Sequence, residues 1–234
     1  VQRVEATRRI MSQCPTPVVV VSGLVERDVE LSFQALDAGA LAVVEKPPNR
    51  DHPAFQQKYR RLIRTLVAMS KVSVVRRGGT ARLLADETIE IPLARQARAM
   101  PEVVAIGASA GGPSALNRLL SGFPADMRVP VVIVQHIPDE FIQGLARWLD
   151  KSTPLHVHVA EDGTLLEPGN VYLAPGKAHL RVMQRGGRLV VRLDTVQGDY
   201  RYYPSVDVLF ESIAQTCGMS AIGEPLARLP PRVP

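Results

Sequence analysis

The passage from Glu102 to Leu120 constrains the fold more than any other. An apolar run, Glu102-Val-Val-Ala-Ile106, leads into the small-residue turn Gly107-Ala-Ser-Ala-Gly-Gly112, and Pro113 then opens a helix carrying Leu116, Leu119 and Leu120. A short apolar run without alternation marks a strand buried on both faces, as in a parallel sheet. Proline suits the first position of a helix because the N–H it lacks would be unpaired there anyway. Strand, tight turn and helix make one half of a βαβ unit, and the other half follows. Val129 to Val134 is a second parallel strand, ending at Gln135-His136-Ile137-Pro138, and a helix from near Asp139 presents Phe141, Leu145, Trp148 and Leu149. From Leu155 to Leu193 short strands alternate with Gly and Pro turns. Pro204-Ser205 then begins a helix with Val206, Leu209, Phe210 and Ile213 inward and Gly218 at its end.

The N-terminal stretch shows the same alternation on a smaller scale. Glu5 to Gln13 reads as a helix and Pro17-Val-Val-Val-Val-Ser22 as a buried strand. A helix from about Asp28 carries Val29, Phe33 and Leu36 on one face, with Gly39 placed to end it. Ala40 to Val44 is a second strand running into Glu45-Lys46-Pro47-Pro48, and Phe55, Tyr59, Leu62, Ile63, Leu66 and Val67 form an apolar helical stripe. Two strands do not bury an independent core, so this half implies missing sequence upstream. Residues 72–101 lose periodicity and are rich in Arg, Ala, Thr and Gly, as expected of a linker. The expected domains are therefore 1–71, a linker over 72–101, and 102–234.

Composition limits the alternatives. Hydrophobic residues at 46% and charged residues at 22% describe a globular chain rather than a disordered one. No apolar run is long enough for a membrane span, and Val1-Gln2-Arg3-Val4-Glu5 lacks the apolar core of a signal peptide. Cys14 and Cys217 then read as reduced thiols in a cytoplasmic protein. The net charge of +5 sits on scattered pairs such as Arg8-Arg9, Arg60-Arg61 and Arg76-Arg77, with aromatics at only 5%. That pattern describes a solvated surface and not a nucleic-acid footprint.

Gly107-Ala108-Ser109-Ala110-Gly111 fits the nucleophile elbow G-x-S-x-G, with the strand before it and the helix after it that the pattern requires. Small neighbours let the hydroxyl stand exposed, and the helix N-terminus behind it offers positive dipole to a developing oxyanion. Taken alone, such a turn serves equally as a phosphate-binding or packing loop. His136 tips the balance towards a nucleophile. It closes one apolar strand as Ser109 follows another, and working groups in open parallel sheets gather at the strands' carboxyl ends. A histidine there accepts the serine proton and returns it to the leaving group. Serine preceding histidine by so short an interval is not the Ser–Asp–His order of the α/β-hydrolases. A nucleotide-binding module is disfavoured, since the turn lacks both G-x-G-x-x-G and a Walker lysine.

Four motifs carry a specific resemblance: Ile106-Gly-Ala-Ser-Ala-Gly-Gly-Pro113, Val134-Gln-His-Ile-Pro138, Tyr172-Leu-Ala-Pro-Gly176 with His179-Leu180, and Pro204-Ser-Val-Asp-Val-Leu-Phe210. In motif, order and spacing they are similar to the methylesterase domain of the CheB type. Pro17 to Ser22 and Ala38-Gly-Ala-Leu-Ala-Val-Val-Glu-Lys-Pro47 resemble the second half of a response-regulator receiver, with Ser22 and Lys46 at that family's switch positions. The resemblance implies an α/β chain: a partial, flavodoxin-like receiver domain followed by a doubly wound parallel-sheet methylesterase domain. It implies hydrolysis of glutamyl methyl esters, and deamidation of glutamines, on methyl-accepting chemotaxis receptors. Ser109 and His136 would be the catalytic residues, with neither metal nor organic cofactor. It further implies a receiver that blocks the active site until a histidine kinase of the chemotaxis pathway causes it to be phosphorylated.

Two departures accompany the resemblance. The receiver's acidic pair and phospho-acceptor aspartate belong upstream of the first helix, so the expectation for the sequence as given is that Ser22 and Lys46 have no phosphoryl group to sense. After Ala221-Ile222-Gly223 the family continues into a strand and a Gly-Met-Gly-x-Asp-Gly turn with the triad acid. Here Glu224-Pro225-Leu-Ala-Arg-Leu-Pro-Pro-Arg-Val-Pro234 follows, as if the reading frame had shifted, and Pro225 is expected to interrupt a central strand ladder. Ala110 stands where many family members place threonine. The expectation is an esterase domain lacking its last strand region and impaired by loss of the triad Asp. The alternative is a catalytically dead fragment that still binds receptors. Of the remaining candidates, His156 and His158 read as surface strand residues rather than a metal pair. His179 either lines the cleft or braces a loop. Ser205 reads as a helix N-cap and Asp207 as a first-turn carboxylate, with an orienting role towards His136 as the less favoured option.

Overall fold

The computed structural model describes residues 2–23, 26–72, 74, 100–109, 111–196, 200 and 202–226. Most of the expected linker lies outside them. The N-terminal segment runs α1 (Gln2–Gln13), β1 (Val19–Ser22), α2 (Glu26–Asp37), β2 (Ala42–Glu45) and α3 (Phe55–Met69). Strands β1 and β2 pair in parallel, Val19 opposite Ala42 and Ser22 opposite Glu45. The helix expected from Asp28 starts two residues earlier, and it buries Phe33 and Leu36 as its spacing requires. The Val29 side chain lies outside the described residues.

The larger unit begins with β3 (Val103–Ala108), α4 (Gly112–Ser121), β4 (Val131–Gln135) and α5 (Asp139–Ser152). Strands β5 (His156–Val159) and β6 (Asn170–Leu173) follow, then the hairpin β7 (His179–Arg185) and β8 (Arg188–Asp194), then α6 (Val206–Cys217) and β9 (Ala221–Pro225). Five strands form one parallel sheet in the order β5-β6-β4-β3-β9. The chain moves from β3 to one side and returns to the other, which makes the sheet doubly wound.

Both faces of that sheet are covered, which explains why β3 and β4 read as unbroken apolar runs. Val104, Ile106, Val131 and Ile133 meet Leu116 and Leu120 of α4 and Phe141, Leu145 and Leu149 of α5. The alternate residues Val103, Ala105, Val132 and Val134 meet Val206, Leu209 and Ile213 of α6 and Leu180, Val182 and Val191 of the hairpin. Gly107 faces this second layer, where a Cβ would fall 2.4 Å from Val206 Cγ1. The residue must therefore be glycine for α6 to dock.

One expectation is corrected. Pro225 does not abolish the last strand: β9 pairs with β3 from Ala221 opposite Val103 to Pro225 opposite Gly107. Among the described residues the strand lies at the sheet edge rather than in its centre, and proline is its final residue. Leu226 N–H donates to Gly107 O at 2.8 Å, so the intervening Pro225 directs its missing donor away from β3.

The small N-terminal sheet does not stand alone either. Phe33 of α2 stacks on Trp148 of α5 with ring centroids 5.5 Å apart. Asp37 accepts hydrogen bonds from Trp148 Nε1 at 2.9 Å and Asn117 Nδ2 at 3.4 Å. The apolar face of α2 thus gains the cover that two strands do not supply. None of the described helices is long and apolar enough to cross a membrane.

Candidate active site

Ser109 and His136 each follow the last residue of neighbouring parallel strands, since Ala108 and Gln135 are register partners. A backbone bond from His136 N–H to Ala108 O at 2.9 Å carries the ladder one step further. The turn after Ser109 is tight. Gly112 N–H donates to Ser109 O at 2.8 Å, and Gly111, at φ +77°, takes the left-handed conformation that lets it cap α4. Ala110 lies outside the described residues.

Gln135, quoted in the sequence motif but given no role, braces this corner. Its Nε2 donates to Ser109 O at 2.9 Å and more weakly to His136 O at 3.3 Å, so one buried amide ties the main chains of both candidate residues. Its Oε1 sits where a Cβ on Gly112 would fall, at 1.9 Å. Gly112 is thus a packing requirement of the motif, as Gly107 is. At the start of α5, Asp139 accepts Gly176 N–H at 3.0 Å and pairs with Lys177 at 2.9 Å, which fixes the Tyr172–Gly176 motif beside the site.

The His136 ring lies flat against Tyr202, with centroids 4.5 Å apart and planes 20° from parallel. Both ring nitrogens are buried and have no hydrogen-bond partner among the described residues, so the ring is not bonded to Ser109 Oγ. Burial holds the imidazole below its ordinary pKa. The Pro204 carbonyl opposes this by favouring the protonated ring, without reaching hydrogen-bond geometry. The Arg61 guanidinium lowers the value further and the Asp207 carboxylate raises it. The ring is therefore biased towards its neutral form, the form that can accept a proton.

A cavity of about 340 Å³ opens over these groups. Ser109, Gly111, Pro113, Gln135 and His136 form its floor, and Tyr202 and Tyr203 one side. Val44 of β2 and Arg61, Arg64 and Thr65 of α3 also line it. Arg61, read from sequence as solvated surface, is half-buried here, with Glu140 and Glu45 offsetting its charge from a distance. That role is invisible in the sequence because α3 and β4 meet only in the folded chain.

The other candidates separate cleanly. His179 is 1% exposed, accepts Ser205 N–H at its Nδ1 (3.0 Å), and meets Tyr200 and Tyr203 edge-on. It braces the loop before α6. Ser205 occupies the N-cap position of α6, but its side chain makes no capping bond. Asp207 touches His136 through its field alone, since the ring nitrogens have no partner. His156 is exposed on β5, and His158 pairs with Asn170 Oδ1 at 2.9 Å. Ser22 is buried at the end of β1, and Lys46, exposed, follows β2 with its N–H donated to Ser22 O at 2.7 Å.

Comparison with known proteins gives the family. Residues 104–226 match the family model described as CheB methylesterase. The chain is 48% identical over 219 residues to a Myxococcus xanthus protein named protein-glutamate methylesterase/protein-glutamine glutaminase 4, which covers 93% of this chain and 61% of that relative. A similarly named protein of Anaeromyxobacter dehalogenans is 43% identical over 223 residues, covering 95% and 64%. The chain thus spans less than two thirds of the length of these relatives. Among solved structures, the Thermotoga maritima CheB methylesterase catalytic domain superposes with a TM-score of 0.54 at 33% identity, covering 56% of this chain and 70% of that one. With more than half of its residues in the family match, and with the elbow and the strand-end histidine both inside that match, this chain belongs to the CheB methylesterase family.

Proposed function

We propose that the chain is a serine carboxylic-ester hydrolase, a protein-glutamate methylesterase that also deamidates glutamines, acting on methyl-accepting chemotaxis receptors. The observation that carries this is the placement of Ser109 and His136 on adjacent strand ends beneath one cavity. Neutral His136 takes the hydroxyl proton as Ser109 Oγ bonds to the ester carbon. The developing oxyanion lies near the positive N-terminus of α4. Collapse breaks the bond to the methoxy oxygen, and the proton held on His136 leaves with methanol. Water then adds to the acyl-enzyme, again through His136, and releases the glutamyl carboxyl and the serine. An amide substrate follows the same path with ammonia as leaving group. The relatives similar in sequence bear the names of enzymes, which favours this reading over a receptor-binding fragment.

Residues 1–71 form the receiver-like part in this proposal, residues 72–101 the linker, and residues 102–234 the catalytic domain of a cytoplasmic protein. The paired strand ends at Ser22 and Lys46 support the receiver assignment. Placement of α3 against the cavity supports a blocking role for that part, relieved in an intact receiver through the pathway's histidine kinase. The proposal includes impaired turnover, because Glu224 and Pro225 follow Gly223 where the family's Gly-Met-Gly-x-Asp-Gly turn would lead to the triad acid. Substituting Ser109→Ala should remove what turnover there is, by about 10³-fold or more relative to the parent chain. Methanol release from methyl-labelled receptor measures it, and an alanine variant with unchanged turnover would remove Ser109 from the mechanism.

A further inference from the structure

We propose that Tyr202 is a positioning residue for the reaction: its ring backs the His136 imidazole, fixes its plane towards Ser109, and steadies the imidazolium formed during proton transfer. This rests on the reading of His136 as the base. A general base is useful only if its ring is held at the angle that aims one nitrogen at the hydroxyl. Hydrogen bonds do not set that angle here, because neither ring nitrogen has a partner among the described residues. Among the described residues, the ring contact that can set it is the near-parallel one with Tyr202, at 4.5 Å and 20°.

The tyrosine is itself held. The segment around it is anchored by Ser205 N–H on His179 Nδ1 at 3.0 Å and by Tyr203 Oη–H on Lys177 O at 2.7 Å, with Tyr203 edge-on to the buried His179 ring. The loop-bracing option read for His179 from sequence thereby gains an object: it fixes the loop that carries Tyr202. The electron-rich face of a tyrosine attracts a cation within about 6 Å of its centre, so the same stack favours His136 once it carries the proton. The other groups facing the ring are the Arg61 guanidinium from α3, which disfavours that charge, and the Pro204 carbonyl and Asp207 carboxylate at the start of α6, which favour it.

The test uses the full 234-residue chain. The rate of Ser109 modification by a fluorophosphonate is measured against pH and reagent concentration, and the His136 Cε1–H resonance is titrated by NMR. Tyr202→Phe should keep the maximal rate within about twofold, since the ring face is retained. Tyr202→Leu fills the space without an aromatic face. It should lower the maximal rate roughly tenfold at an unchanged half-saturating concentration, and shift the His136 titration to lower pH. Tyr202→Ala should also lose rate but shift the titration to higher pH, because water reaches the ring. Tyr202→Met replaces the leucine variant in the comparison should that variant not fold. A leucine or methionine variant as fast as phenylalanine, with an unmoved titration, would overturn the proposal and leave Tyr202 as filler. Labelling that persists in Ser109→Ala would instead sink the underlying assignment of the nucleophile, whatever the Tyr202 variants do.

Discussion

At the scale of single residues, the proposed chemistry depends on how His136 is kept neutral. Burial lowers its pKa, and the Arg61 guanidinium adds to that, so the base form persists below the ordinary value of 6.5. The acid limb of a rate profile should therefore lie below pH 6.5. Arg61→Gln removes a cation facing the ring and should move that limb upward. A profile unmoved by this change would mean that Arg61 does not act on the ring. The same shift bears on stability with a definite sign. The unfolded chain binds the His136 proton more readily than the folded one, so stability is full above about pH 6.5 and is lost as pH falls towards the depressed folded value. Ser109 and His136 were legible in the sequence because each ends an apolar run, and parallel strands bring such ends together. Tyr202 and Arg61 were not. Tyr202 stands in a polar stretch before Pro204, and Arg61 sits beside Arg60 on a helix whose partner is remote in sequence. Only tertiary packing decides which guanidinium faces the cavity.

At the scale of elements, the strand–turn–helix of β3 and α4 works because three glycines satisfy three different demands. Gly111 supplies a positive φ, Gly112 leaves room for the Gln135 amide, and Gly107 lets α6 approach. The sequence pattern G-x-S-x-G shows only the first kind of reason. Gly107→Ala should lower the unfolding free energy by about 1–3 kcal/mol, the usual cost of forcing atoms into a filled core. Urea denaturation checks this, and a variant of parental stability would show that α6 moves aside without cost. The helix order was readable for the same reason that the strands were, since apolar spacing in α2, α4, α5 and α6 matches the buried faces found. The last strand was misjudged by assuming a central position for Pro225. At an edge, alternate N–H groups face no partner, and proline at such a position breaks no hydrogen bond.

At the scale of the whole molecule, the small N-terminal sheet and the large one share a contact whose centre is Trp148. The tryptophan stacks on Phe33 and donates to Asp37, so α2 is held to α5 by both packing and polarity. The same N-terminal segment supplies α3, which walls the cavity above Ser109. If that wall limits access, loosening the α2–α5 contact must expose the serine without touching it. Asp37→Ala leaves the Trp148 and Asn117 donors to water, at a cost of about 0.5–1.5 kcal/mol to the contact. Every 1.4 kcal/mol shifts an open–closed equilibrium about tenfold, so Ser109 labelling by a fluorophosphonate should quicken by up to that order. Trp148→Ala should act in the same direction and more strongly, since the Phe33 ring loses its stacking partner. The pH profile should move as well, because separating α3 takes the Arg61 charge away from His136 and raises the acid limb. Faster labelling together with a raised limb marks removal of the wall. Unchanged labelling in a variant whose α2 has become susceptible to proteolysis would show that the N-terminal segment leaves the serine open in both arrangements, and that the cavity is a route to Ser109 rather than a barrier over it.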